Sequence, residues 1–464
     1  MRWPARLPPW VLLALGWGLF LLYAYPGYLQ TAAVDELADS RVGRFTDWHS
    51  PMMTEVWRLV GWVVSGPPGM LALQSLLLLG GAHSLVRRVL APRAAALAAC
   101  AVLLFPPVLA AMAVVGDDAQ LAGFAIATCA AASSARRGVR LGGLALALVA
   151  CGMRPGACAA VLPALALAGA WLPALRGGRR YALAVATWVA VAVAAHVLGG
   201  GLVDSRTQRA DLDLARLDTI GVLRFAEPLS DAELRDVFAG APLASPEHIQ
   251  ARATDAYTHP NQAVGERRMF DDALAPPARQ ALRRARLDLV HAHFGAYVRH
   301  RWHQLRRVLG LAVDAAWRPD VTTFAESPQQ RFAIHYAARH SGVQAALVAA
   351  MHAIAPSPLF RPVVYVLLAL VLLPLAAYRR ARDAAALLAG ALAYTAALFA
   401  FATVPTYQLS TYPIAATVLA IALLIARGAT GRAGPAASRL AAAVTTASGT
   451  AAPPAGSPAP ASAA

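Results

Sequence analysis

Apolar runs long enough to cross a bilayer recur about ten times along this chain, and nearly every second gap between them holds a cluster of arginines. A hydrocarbon layer about 30 Å thick needs about 20 mostly apolar residues in a helix. The first run spans Trp10 to Tyr25, and the others begin near Met70, Ala94, Leu121, Leu141, Gly156, Ala182, Val363, Ala384 and Tyr412. The expected fold class is a polytopic all-α membrane protein of about ten transmembrane helices. Composition agrees. Of 464 residues, 58% are hydrophobic and 14% charged, too little charge for a water-soluble globule and too much apolar content for disorder. Cys100, Cys129, Cys151 and Cys158 lie in apolar runs without metal-type spacing and read as small buried side chains.

The net charge of +16 would also suit a nucleic-acid binder, so the positions of the charges decide. All 41 basic residues are arginine. With the N-terminus in the cytoplasm, Arg87, Arg88, Arg93, Arg136, Arg137 and Arg140 fall inside. So do the groups around Arg179, Arg379 and Arg432, as the positive-inside rule requires. The excess is therefore a topology signal, and no nucleic-acid partner is implied. Arg2 and Arg6 before the first run also suit a signal peptide, but the many spans that follow favour an anchor. The weak run Leu141–Gly152 counts as a short span turning at Arg154-Pro155, because merging it with the next would invert the later arginines.

The organisation expected is a transmembrane module over 1–200 with spans 1–7 and an acidic first outer loop at 26–68. A mainly helical periplasmic domain follows over 201–357, then spans 8–10 over 358–428 and a disordered cytoplasmic tail over 429–464. The 201–357 stretch is nearly charge-balanced, with 19 Arg against 17 Asp or Glu. Ser230-Asp231-Ala232-Glu233 has the pattern of a capping box, and Pro277 suits the start of a helix of about 30 residues.

Outside that stretch lie eight acidic residues, and seven of them fall on the outer face: Asp35, Glu36, Asp39, Asp47, Glu55, Asp117 and Asp118. Carboxylates at a membrane boundary are costly and mark functional sites. Met52 to Val64, with Trp57 and Trp62, is expected as a helix lying on the outer leaflet. Asp211-Leu212-Asp213 sits in an amphipathic run and reads as a solvated helix face. His291 and His293 are two apart and do not meet on a helix.

Tyr25-Pro26-Gly27-Tyr28 through Asp35 to Asp47-Trp48-His49-Ser50-Pro51, with Gly116-Asp117-Asp118 and Met153-Arg154-Pro155-Gly156, resembles the motifs of a known group. His293 to Arg301 also looks like the segment where bacterial members return to the membrane. The group is the GT-C fold integral-membrane glycosyltransferases that use polyprenyl-phosphate sugars and are similar to dolichyl-phosphate-mannose mannosyltransferases. The resemblance implies an inverting transfer from a polyprenyl-phosphate-linked sugar donor to a glycan, lipid or protein acceptor. The setting implied is the bacterial inner membrane, with both termini cytoplasmic. It makes Asp35 the leading base and Asp47 the second. Asp117, Asp118 and His49 would support the acceptor or a divalent cation, Mg or Mn. Arg154, Arg299 and Arg301 have the planar fork that suits the donor phosphate. Two departures stand out. The last outer loop, Pro405 to Tyr412, lacks the arginine common in the group, and Ser50-Pro51 replaces a double proline. An O-antigen ligase or polymerase, a flippase of lipid-linked intermediates and a non-catalytic scaffold are the alternatives.

Overall fold

The computed structural model describes residues 7–448 except 30, 47–48, 169–176, 204–208, 242, 244, 246, 259–268, 271–274, 313–340 and 404. About 80% is helical, in 19 α-helices among the described residues. Four of these are long and apolar enough to cross a membrane: Pro67–Val86, Gly178–Leu202, Arg382–Phe401, and Tyr407–Ala429 with its short 3-10 lead-in. A fifth is the pair Pro92–Leu103 and Pro106–Ala113, if its 67° bend is one broken span. The remaining expected spans are shorter helices. Pro9–Ala24, Asp117–Ala132 and Arg137–Gly152 have 16 residues each, about 24 Å of helix. The Arg137–Gly152 helix starts four residues before the expected run, and the chain breaks after it at Arg154-Pro155. At the C-terminal end, helix continues to Ser448 where an irregular tail was expected, and 449–464 lie outside the described residues.

Two separate apolar cores hold the molecule. One is built from the apolar helices of both ends of the chain. The other belongs to the polar stretch and gathers Leu212, Ile220, Leu223, Phe238, Ile249, Phe270, Leu282 and Leu289. The capping box at Ser230 forms, with the Glu233 backbone N–H donating to the serine hydroxyl and the Glu233 carboxylate accepting from the Ser230 N–H. The helix expected from Pro277 begins at Pro276 and runs to Ala292, where His293 breaks it before Phe294–Val308.

Close packing inside the apolar core depends on Gly123, whose missing side chain would press on the Gln74 backbone at 2.8 Å. There Pro67–Val86 lies along Asp117–Ala132. The two helices share a buried amide pair. Gln120 Nε2 donates to Gln74 Oε1 and to the Met70 carbonyl, and Gln74 Nε2 donates to the carbonyls of Met112 and Val114. Such pairs satisfy polar atoms where no water can. They also fix Val114-Val115, which pairs in parallel with Tyr28-Leu29 as the only two-stranded sheet among the described residues. That ladder, with no counterpart in the sequence reading, lays the loop after the first helix beside the loop before Asp117.

Candidate functional site

At the end of the bundle that carries the polar domain lies a cavity of about 820 Å³. Its polar wall is assembled by four segments, one of them the turn that carries Arg154. Thr31–Val42 is helical, so consecutive residues point about 100° apart. Ala33, Val34, Leu37 and Ser40 are buried, which turns Glu36 inward and leaves Asp35 exposed. Glu36, not Asp35, lines the cavity and hydrogen-bonds Asp117. Asp35, expected as the base, therefore does not reach this cavity. Asp47 lies outside the described residues.

Asp117 and Asp118 open the helix Asp117–Ala132, where the exposed N–H groups and the helix dipole favour negative charge. Their side chains diverge. Asp118 Oδ2 accepts from Arg154 Nη1 at 2.7 Å, and its Oδ1 accepts from the Tyr394 hydroxyl at 3.4 Å. Asp117 turns to Glu36, and its Oδ1 is buried with no hydrogen-bond partner. Burial, and then the neighbouring Asp117, hold the Glu36 carboxyl well above the ordinary carboxylate range. Burial also pushes Asp117 up to about 6, the Asp118 charge adding to the rise and Arg154 opposing it. Two carboxyls this close favour sharing a proton, because like charges in contact repel.

The third segment is the end of the first loop. His49 lines the cavity, and burial lowers its imidazole to about 4, so it is neutral at physiological pH. Ser50 caps the helix Pro51–Gly61 by accepting from the Met53 N–H. Its hydroxyl also donates to the Gly152 carbonyl at 2.8 Å, two residues before Arg154. The serine thus pins the first loop onto the arginine-bearing turn. The helix expected at Met52–Val64 forms over Pro51–Gly61, with Trp57 buried and Trp62 exposed.

The opposite wall is mainly apolar: Ala192, Ala195, Gly199 and Gly200 from Gly178–Leu202, with Leu398 and Phe401, and His196 as the one titratable side chain among them. Only 17% of that helix's apolar window is buried, so its far side is open. The last loop contributes Thr403, Thr406 and Gln408, all neutral, and the polar domain contributes Asp213 and Leu214. Asp213, expected on a solvated face, is instead part of this wall and sits 3.7 Å from Arg216.

Arg299 and Arg301 do not line the cavity. Arg299 Nη2 donates to the Phe225 carbonyl at 2.9 Å, and Arg301 is fully buried, paired with Asp218 and bonded to the Ala402 carbonyl. Arg301 therefore holds structure inside the polar domain, while Arg299, exposed on another face of the same helix, ties that helix to the Phe225 carbonyl. A divalent cation shared by Asp35, Asp117 and Asp118 does not fit either. Asp35 is elsewhere, and a guanidinium takes the place beside Asp118 that a metal ion would need. Among the described residues no three His, Cys, Asp or Glu side chains group as metal ligands.

The fold and cavity define a mainly helical protein whose apolar helices suit membrane association. No family model, curated protein or solved structure matches the chain.

Proposed function

We propose that this protein is an inverting glycosyltransferase that moves a sugar from a polyprenyl-phosphate carrier to a cell-envelope acceptor at the periplasmic face of a bacterial inner membrane. In this reading it crosses the membrane about ten times with a GT-C-like arrangement and cytoplasmic termini. The observation that carries it is the buried Glu36–Asp117 pair in one cavity with Arg154, opposite a thin apolar helix. A polar floor and a lipid-accessible wall are what a substrate with a sugar phosphate head and a hydrocarbon tail requires.

The chemistry follows from the charges. With one proton shared, the pair holds one carboxylate at neutral pH. That carboxylate takes the proton from the acceptor hydroxyl, worth about 10²–10⁴-fold. The acceptor oxygen forms a bond to the anomeric carbon on the face away from the phosphate. The carbon–oxygen bond to phosphate breaks, and its electron pair leaves with the polyprenyl phosphate, inverting the centre. Arg154 meets the growing phosphate charge with its N–H groups not used by Asp118. Asp118 and Tyr394 hold its fork in place. His49, being neutral, can orient a hydroxyl but adds no charge.

The test is sugar transfer from a panel of polyprenyl-phosphate sugars in membranes carrying E36Q or D117N. Loss of about 10²–10⁴-fold at normal protein level is expected. Wild-type rates in both variants would remove the pair as the base.

A further inference from the structure

A second buried charge cluster lies outside the cavity and touches none of its contents. Asp218, fully buried on the helix Arg209–Phe225, accepts from Arg286 Nε at 2.8 Å and Nη2 at 2.7 Å, and pairs with Arg301 Nη2. His300 Nε2 is 3.4 Å away, and burial keeps that imidazole from charging. Arg301 does one thing more. Its Nη1 donates at 2.9 Å to the carbonyl of Ala402, the C-cap of Arg382–Phe401. A cation at that end satisfies an orphan carbonyl and meets the negative end of the helix dipole.

Each end of this link belongs to a cavity wall. The helix bearing Asp218 carries Asp213 and Leu214 into the cavity, and Ala402 is followed directly by Thr403, which lines it. We propose that Arg301 is a positioning residue that clasps the polar domain to the last loop and so sets the width of the cavity. Asp218 orients the guanidinium, and the guanidinium holds the wall. Its consequence for turnover rests on the function proposed above, but the clasp itself is a property of the fold.

The cluster's composition separates the clasp from the folding of the domain. With Arg301 removed, Asp218 keeps both Arg286 nitrogens on its Oδ2, so the buried carboxylate still has a cation beside it. What is lost is the donor to Ala402. Arg286 has no hydrogen bond or ion pair to the last loop among those resolved for the described residues, so its loss leaves the clasp closed.

Cys151 and Cys158 line the cavity, whereas Cys100 and Cys129 are buried away from it. They make an internal gauge. Purified full-length protein in detergent is exposed to a small maleimide, and each cysteine's modification is followed by peptide mass spectrometry. In R301M, Cys151 and Cys158 should react about tenfold faster, the effect of losing a charge-assisted bond at a buried carbonyl. Cys100 and Cys129 should keep their rates, and R286M should leave all four unchanged. R301K, whose single ammonium cannot serve both Asp218 and Ala402, should give a smaller rise at the cavity pair. Unchanged cavity labelling in R301M overturns the proposal, as does an equal rise in R286M. A parallel rise at Cys100 and Cys129 in both Arg301 variants also overturns it, because that marks loss of fold. No sugar donor enters the measurement, so it stands or falls separately from the transferase assay.

Discussion

Two groups of buried carboxylates and arginines lie at the same end of this molecule, and they are built with opposite excess. In the cavity Glu36, Asp117 and Asp118 meet a single arginine, Arg154. In the sealed cluster one carboxylate, Asp218, meets Arg286 and Arg301 beside a neutral His300. Surplus carboxylates crowded together hold a proton more tightly, because like charges in contact repel, which gives the cavity a group able to exchange one. Surplus arginines cannot release theirs, so Arg301 turns its Nη1 to a backbone carbonyl and the cluster becomes a joint. Similar residue types thus yield a reactive pair in one place and a mechanical link in the other.

The largest expected effect breaks the sealed cluster. D218A strands the fully buried Arg301 guanidinium without its carboxylate and frees the partly exposed Arg286, at about 3–5 kcal/mol. Limited proteolysis should find the polar domain cut within 209–308, whereas an intact domain would show the cluster to be dispensable. Next comes the cavity arginine: R154M should lower sugar transfer by about 10²–10³-fold, as for removal of a donor aimed at developing charge. Its binding of the carrier, followed separately, should weaken less.

The third test exploits the shared proton. Because Asp117 in the native state holds its proton up to about 6 rather than the usual 3.8, the native state binds more protons than the unfolded chain between those values. The stability this contributes is full below about 3.8 and is lost as pH rises through about 6. D117N mimics the protonated form, so at pH 8 its Tm should exceed the wild type by about 2–4 °C, with no gain at pH 4. A lower Tm at pH 8 would mean that the pair is not under this tension. The smallest effect sharpens the contrast within one helix: D35N, on the exposed side, should stay within about 0.5 kcal/mol of wild type and transfer sugar at an unaltered rate.

Much of the architecture was legible in the chain. The apolar periods announced the bundle, the charge balance announced a polar insertion with its own core, and Ser230 and Pro277 marked helix starts, the second to within one residue, by local chemistry alone. Asp117, Asp118, Arg154 and His49 were also picked out, since charge beside long apolar runs is rarely idle. Glu36 was missed because a motif resemblance favoured its neighbour. The helical spacing of Ala33, Val34, Leu37 and Ser40 held the signal that position 36, not 35, turns inward. Arg299 and Arg301 misled for a different reason. Arginine suits a phosphate and a buried aspartate equally well, and only the partner 83 residues earlier, Asp218, tells them apart. The pairing of Tyr28-Leu29 with Val114-Val115 left no trace, because two-residue strands have no periodicity to read.

That short ladder has a bearing on how the protein is made. Glu36, Asp117, Asp118 and Arg154 all belong to the first third of the chain, and the ladder joins the two loops that bring the first three together. The charged centre needs nothing from the polar domain except a wall, and from the last helices only the Tyr394 hydroxyl. During synthesis Glu36 emerges long before Asp117 and spends that interval as an ordinary hydrated carboxylate. Docking of the second loop is what brings Asp117 against it, so in the function proposed here the proton-transferring pair is completed by contacts within the first third of the chain.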